Sequence, residues 1–430
     1  MTRRVYLHVG TPKSGTTYLQ GVMAANRDRL AAAGVAVLGE SHLDLVHAGM
    51  VVREDPRLER LPSRAREAWS RVVAQAHEWS GESAVVSYEL LAGATPEQAA
   101  RAVADLAPAE VHVVVTARDF ARALPSAWQE RLKFALVTPL EGWTPPPDTE
   151  VRSEWGWRTL DPAGVVRRWR GDLPVDRLHV VTMPPGGRPE ELWRRFADAC
   201  GIGGIEVRTA AQPANTSLGA GPAEVLRRVN ELVGDPVTGS REQSVWLRDT
   251  LAHQILAPLD QEPIGLTDEQ YAAAQARAAE SLAYLASSGV TWHGSPEDLA
   301  PRRPFARTPG EVPASELLDV AVQAIWALLL ELRSSRRAHR EQALPADRRS
   351  RARTVTKNLV LGTYARRAQE ATDTLAERVA ELEEQLASAR QLEQRLAAVT
   401  DVVEELLLPG LSRDPELLRR AVAAYRLESM

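Results

Sequence analysis

Five short apolar runs, separated by helical stretches, constrain this chain more than any other feature. They are RVYLHV (4–9), VAVL (35–38), AVVSYE (84–89), VHVVVTA (111–117) and LHVVTM (178–183). They are rich in β-branched residues and almost continuously apolar, as strands covered on both faces must be. The intervening segments carry the helical period. TTYLQGVMAANRDRLAAAG runs from Thr16 and closes at Gly34. Residues 62–80 gather Trp69, Val72, Val73, Ala76 and Trp79 on one side. Thr95–Pro96 opens a helix over 96–106, and further helices are expected over 120–134 and 189–200. Alternating strands and helices mean βαβ units. The expected fold is therefore α/β, a three-layer αβα arrangement around a central, mostly parallel sheet.

Beyond 200 the pattern changes. Residues 222–300 read as mainly helical, ending near VTWHGSPEDLAP. Residues 138–160 are Pro- and Trp-rich and irregular, and a loop of that length is usually functional or mobile. One domain is expected over 1–300, then a linker at 301–314 and a helical basic segment at 315–367, its helix covering roughly 315–343. Residues 331–367 hold eleven Arg and Lys against three Asp and Glu. That balance fits a solvated face or contact with an acidic surface. Leu375, Val379, Leu382, Leu386 and Ala389, then Leu396, Val403 and Leu407, give a coiled-coil-like helix over 368–407 and a C-terminal helical/coiled-coil extension. A helical tail fills 408–430. That coiled coil offers a route to a homo-oligomer or a partner protein.

The net charge of −5 exerts no general pull on nucleic acid, and none is expected as a partner. The single cysteine, Cys200, rules out an internal disulfide framework. No window is apolar over the ~20 residues of a spanning helix, and the N-terminus lacks a signal-peptide apolar core. A cytoplasmic location is the expectation.

The chemistry concentrates in HVGTPKSGTTYLQ (8–20). A glycine-rich turn between a strand and a helix aims backbone N–H groups and the helix dipole at an anion, so the fold reads as P-loop-like. Gly10 and Gly15 keep the glycine spacing of a nucleotide-binding P-loop, but Lys13 precedes the second glycine, and Thr16 and Thr17 follow it. The G-K-[ST] order that supplies a Mg²⁺ ligand is missing, and no strand ends in a convincing metal-binding Asp. No metal is expected. The chain has only three lysines, Lys13, Lys133 and Lys357. A lysine inside this loop therefore points to a need for a compact ammonium.

TPKSGTTYL resembles the 5′-phosphosulfate loop of sulfotransferases that use 3′-phosphoadenosine 5′-phosphosulfate (PAPS). The second signature of that family is an Arg after a central strand with a Ser eight residues on. VVVTARDFARALPSAWQERLK supplies Arg118 and Ser126. The resemblance covers about residues 1–300, including RRW (167–169), PEELWRRFADACGI (189–202), NTSLG (215–219) and WHGSPEDL (292–299). It is nearest the bacterial, carbohydrate- and N-sulfotransferase-like branch. The RKGxxGDWK element of the cytosolic type is absent. The resemblance implies sulfuryl transfer from PAPS to a hydroxyl or amine of a small-molecule or carbohydrate acceptor, without metal. It implies that Lys13 neutralises the oxygen bridging sulfur and phosphorus. Ser14, Gly15, Thr16 and Thr17 would hold the 5′-phosphate, and Arg118 and Ser126 the 3′-phosphate.

Sulfuryl transfer also needs a base for the acceptor proton. Glu89, at a strand end, is the first candidate; His47 and then His42 in ESHLDLVHAGM are the others. Trp143, Trp155 and Trp157 fit equally an acceptor-stacking role and a small core of their loop. Asn215 and Ser217 fit a structural or cofactor-edge role. Two other classes remain open at this point. One is a P-loop small-molecule kinase or NTPase with a degenerate loop. The other is a non-catalytic assembly protein acting through its C-terminal coiled coil.

Overall fold

The computed structural model describes residues 2–342 apart from 187, 210–216, 234–236, 238, 261, 304 and 305, and the side chains only to 336. The expected coiled coil at 368–407, the tail, residues 343–367 and Asn215 lie outside the described residues.

Six strands form the sheet: β1 (Arg4–His8), β2 (Val35–Val37), β3 (Ser83–Ser87), β4 (Glu110–Ala117), β5 (Leu178–Thr182) and β6 (Thr291–His293). Every pairing is parallel, and the order is β2-β3-β1-β4-β5-β6. The first half of the chain contributes α1 (Thr16–Ala25), α2 (Arg27–Ala32), α3 (His42–Val52), α4 (Ser63–Arg66), α5 (Ala68–Glu78), α6 (Pro96–Asp105) and α7 (Phe120–Leu132). The second half contributes α8 (Trp157–Leu160), α9 (Pro162–Arg170), α10 (Pro189–Ala199), α11 (Ala220–Leu232), α12 (Ser240–Gln243), a π-helical stretch at Ser244–Leu256, α13 (Asp268–Ser288) and α14 (Ala314–Gln342).

The strand register explains the two-sided apolar runs. Leu7 lies level with Val86 and Val113, and these point to the face covered by α3, α5, α6, α9 and α13. Tyr6, Val85, Val114 and Val181 point the other way, under α1, α2 and α10. Each such side chain contributes roughly 1.5–3 kcal/mol by leaving water, so alternation is lost from the sequence. The result is three layers, helix on sheet on helix. No helix among the described residues is long and apolar enough to cross a membrane.

Four expectations change. The helix from Thr16 to Gly34 is two helices, because Asn26 turns its side chain back on Val22 O and binds Arg208 O and N. The helix over 62–80 likewise divides at Glu67. The segment read as helical to 300 ends in β6, whose three residues are too few to leave a periodic trace. The 301–314 stretch does not divide two bodies: one compact unit reaches Arg336. Arg307 O accepts from Gly265 N, and Pro309 and Val312 are buried.

A third apolar cluster is organised around α7. It joins Leu124 and Trp128 to Trp143, Leu226, Ile255, Leu317 and Val320. The irregular 138–160 loop is tied into it. Trp143 is buried, and Trp157 meets Phe120 edge-on and the Arg277 guanidinium at 4.4 Å. These two tryptophans serve their own core; Trp155 is half-buried.

Candidate anion-binding site at the sheet switch point

Strand order reverses at β1, which leads to β2 and β3 on one side and β4 on the other. The crevice beyond the carboxyl ends at such a switch point is where open parallel sheets bind ligands. The loop after β1, the turn after β3 and the start of the segment after β4 meet there.

The loop from Gly10 to Gly15 is anchored at its start. Tyr88 N donates to His8 O, and Thr11 N donates to Thr116 O at 2.6 Å. Gly10 has φ of +90°, and a Cβ there would lie 2.7 Å from the Glu89 Cβ and carbonyl oxygen. Glycine is therefore required both by the backbone angle and by the approach of the β3 turn. Lys13 itself takes a left-handed φ of 63°. Gly15 caps α1 with φ of +87° and no side-chain acceptor, and the first turn of α1 carries no acidic residue. Its first N–H groups have no side-chain cap, and no acidic residue lies in that turn, the arrangement that receives an anion.

The hydroxyls divide their duties. Ser14 is fully buried, and its Oγ binds Thr11 O and lies 2.6 Å from Thr116 Oγ1. That hydroxyl builds the loop, leaving its backbone N–H for a ligand. Thr16 is buried and Thr17 is exposed on the first turn.

Arg118 leaves β4 and reaches the loop. Its Nη1 donates to Lys13 O at 3.2 Å and to Ser126 Oγ at 3.4 Å, and Ser126 Oγ donates to Arg122 O. The guanidinium Nε is enclosed and has no hydrogen-bond partner. Burial, then the Arg122 charge, push its pKa down to about 10, so it stays cationic at neutral pH. Asp119 caps α7 and pairs with Arg122, not Arg118. A half-buried cation with no carboxylate hydrogen-bonded to it among the described residues, beside an uncapped helix start, has the donor set of an anion site.

Lys13 has a partner that its position in the sequence did not announce. Its Nζ lies 2.7 Å from Glu130 Oε1, which also receives Lys133 Nζ at 2.8 Å. Burial alone would raise the Glu130 carboxyl, but the two ammonium groups prevail and hold it at about 2. Burial depresses the Lys133 ammonium, with Glu130 opposing. The carboxylate, which serves two cations, carries the stabilisation; the lysine returns part of it.

Behind the loop runs a buried polar chain. His8 Nδ1 is 2.7 Å from Ser87 Oγ, and Nε2 is 3.0 Å from Thr116 Oγ1. Gln20 on α1 bonds Ser87 and donates to Glu89 Oε2 at 3.0 Å. Burial pushes His8 down to about 3, so it is a neutral bridge between β3 and β4. Glu89, Gln20, Ser87, His8, Thr116 and Ser14 thus form one continuous network joining the turn after β3 to the loop.

The structure brings Lys13, Ser14, Gly15, Thr16, Thr17, Arg118, Ser126 and Glu89 to one end of the sheet. His47 is half-buried on α3 and makes no hydrogen bond among the described residues; His42 is exposed and meets the Tyr88 ring edge-on at 6.5 Å. Among the described residues, neither is hydrogen-bonded to the loop. Ser217 is exposed next to Leu218, whose backbone is bracketed by Gln129. Glu130, Lys133, Gln20, His8 and Thr116 went unread in the sequence as site residues. The rarity of lysine was the one available signal for Lys133, which lies three residues from Glu130 on α7. Among the described residues no cluster of three or more His, Cys, Asp or Glu side chains is arranged to hold a metal ion.

The family described as "Domain of unknown function (DUF6752)" matches residues 375–429. No curated protein and no solved structure matches the chain.

Proposed function

We propose that this chain is a sulfotransferase that moves a sulfuryl group from PAPS to a hydroxyl or amine acceptor. The observation that carries the reading is Arg118: a half-buried cation with an enclosed, unpartnered Nε, bonded to the Lys13 carbonyl and Ser126 at the mouth of an uncapped glycine loop. Two adjoining donor sets, Arg118 with Ser126 and the loop with Lys13, suit a ligand with phosphates at both its 3′ and 5′ positions. The P-loop-like placement at a switch point supports the same reading.

When bound, PAPS supplies the sulfuryl group and departs as adenosine 3′,5′-bisphosphate. Arg118 and Ser126 hold the 3′-phosphate. The N–H groups at Ser14, Gly15, Thr16 and Thr17, with the threonine hydroxyls, hold the 5′-phosphate. Lys13 neutralises charge at the oxygen between sulfur and phosphorus, where transfer needs it most. It reaches that oxygen by leaving Glu130, whose charge Lys133 continues to balance. Glu89, oriented by Gln20 on one carboxylate oxygen, accepts the acceptor proton with the other.

The test is transfer of label from sulfur-labelled PAPS to a panel of phenols, sugars and amines, with adenosine 3′,5′-bisphosphate measured in parallel. Product in the wild type, lost in Lys13→Ala, supports the reading. Phosphate release from ATP and Mg²⁺, with PAPS untouched, overturns it in favour of a kinase or NTPase.

A further inference from the structure

We propose that α14 is a self-association surface, on which a second copy of this chain docks antiparallel, with Trp326 at the twofold axis. α14 has two apolar faces. Leu317, Val320 and Ala324 are buried in the cluster around α7. Leu318, Val322, Ile325, Trp326 and Leu329 lie on the opposite side, within about 100° of one another at 100° per residue. They are bare: Leu318 is 61% exposed, Val322 56% and Trp326 62%.

The spacing of this stripe selects its occupant. Positions 318, 322, 325 and 329 follow the 4-3-4 steps of a helix–helix seam, and a second helix is what such a seam packs against. With Leu328 and Leu330 on its flanks, the stripe bares on the order of 600 Å², at the top of what monomers ordinarily leave contiguous and approaching the ~800 Å² per partner of a stable interface. Charge then selects an antiparallel copy. Asp319 and Arg333 each lie seven residues from Trp326, on the same edge of the stripe, and both are exposed. An antiparallel pair centred on Trp326 sets the Asp319 of each copy level with the Arg333 of the other. A parallel pair would put Asp319 against Asp319 and Arg333 against Arg333. Antiparallel alignment also opposes the two helix dipoles favourably. The contact is isologous and closes at two copies.

The experiment is light scattering on the full-length chain at micromolar concentration. The expected mass is about 94 kDa, twice the 47.1 kDa of one chain, because a mass-action dimer doubles it. Trp326→Glu halves that mass while circular dichroism is unchanged, since the altered side chain is exposed. Asp319→Arg and Arg333→Asp each weaken association at least tenfold, and the double exchange restores it. Trp326→Cys yields a reducible 94 kDa cross-link, about twice one chain, with Cys200 buried and unreactive. A monomeric full-length chain, or a dimer indifferent to Trp326→Glu, overturns the proposal, as does a double exchange that fails to restore association.

Discussion

Replacing Glu130 by glutamine removes the carboxylate that Lys13 and Lys133 share, and the structure sets the size and pH dependence of the loss. The carboxyl sits at about 2 in the fold against an ordinary 4.5. At 1.36 kcal/mol per pH unit that gap corresponds to about 3 kcal/mol at pH 7. The value is a ceiling, because burial of the Lys133 ammonium returns part of it. A loss of about 2–3 kcal/mol is expected, in the lower range for breaking a buried pair. Because the folded carboxyl lies below the unfolded one, the stabilisation is complete above about pH 5 and is lost as pH falls toward 2. At pH 3 the same relation leaves only about 1 kcal/mol. Urea unfolding of wild type and Glu130→Gln, followed by tryptophan fluorescence at pH 7 and pH 3, reads both numbers. Adenosine 3′,5′-bisphosphate should narrow the pH 7 deficit, since Lys13 then gains an anion in place of Glu130. Equal stabilities at pH 7, or a deficit that is the same at pH 3, would refute the reasoning.

Three further outcomes follow from the site. Arg118→Gln should weaken adenosine 3′,5′-bisphosphate roughly 30- to 1,000-fold, the ~2–4 kcal/mol of a partly buried charge-assisted contact, while leaving 5′-AMP within threefold by calorimetry. Glu89→Gln should lower kcat by roughly 10²–10⁴ with bisphosphate affinity unchanged; equal losses in both would remove Glu89 as the base. His8 is neutral in the fold, at about 3 against 6.5. Its contribution is present above 6.5 and is lost as pH falls toward 3. Unfolding free energy should therefore lose about 1.4 kcal/mol per pH unit less steeply in His8→Gln than in wild type between pH 6 and 4, and identical slopes would contradict the assignment.

The sheet was legible because its strands are buried on both faces, and a run such as VHVVVTA has no other comfortable environment. β6 was not, because three residues at a sheet edge with one exposed position carry no period. The loop and Arg118 with Ser126 stood out through a family resemblance, which was available because each motif lies within a single segment. Glu130 could not be tied to Lys13, 117 residues away, because only the packing of α7 against the loop brings them together. The His8 network escaped for a related reason: its members come from three strands and one helix, and a lone histidine in an apolar strand gives no sign of its partners. Asn26 divided the first helix through a contact with Arg208, 182 residues away, which overrides local propensity.

The central claim is that this end of the sheet holds a nucleotide with phosphates at both 3′ and 5′ positions. Calorimetric titration of the full-length chain with adenosine 3′,5′-bisphosphate, with and without Mg²⁺, against ATP and 5′-AMP, tests it most directly. The account predicts tight binding of the bisphosphate that is indifferent to Mg²⁺, weaker binding of 5′-AMP, and loss of the difference in Arg118→Gln. Preference for ATP with Mg²⁺, or no binding of the bisphosphate, would contradict it.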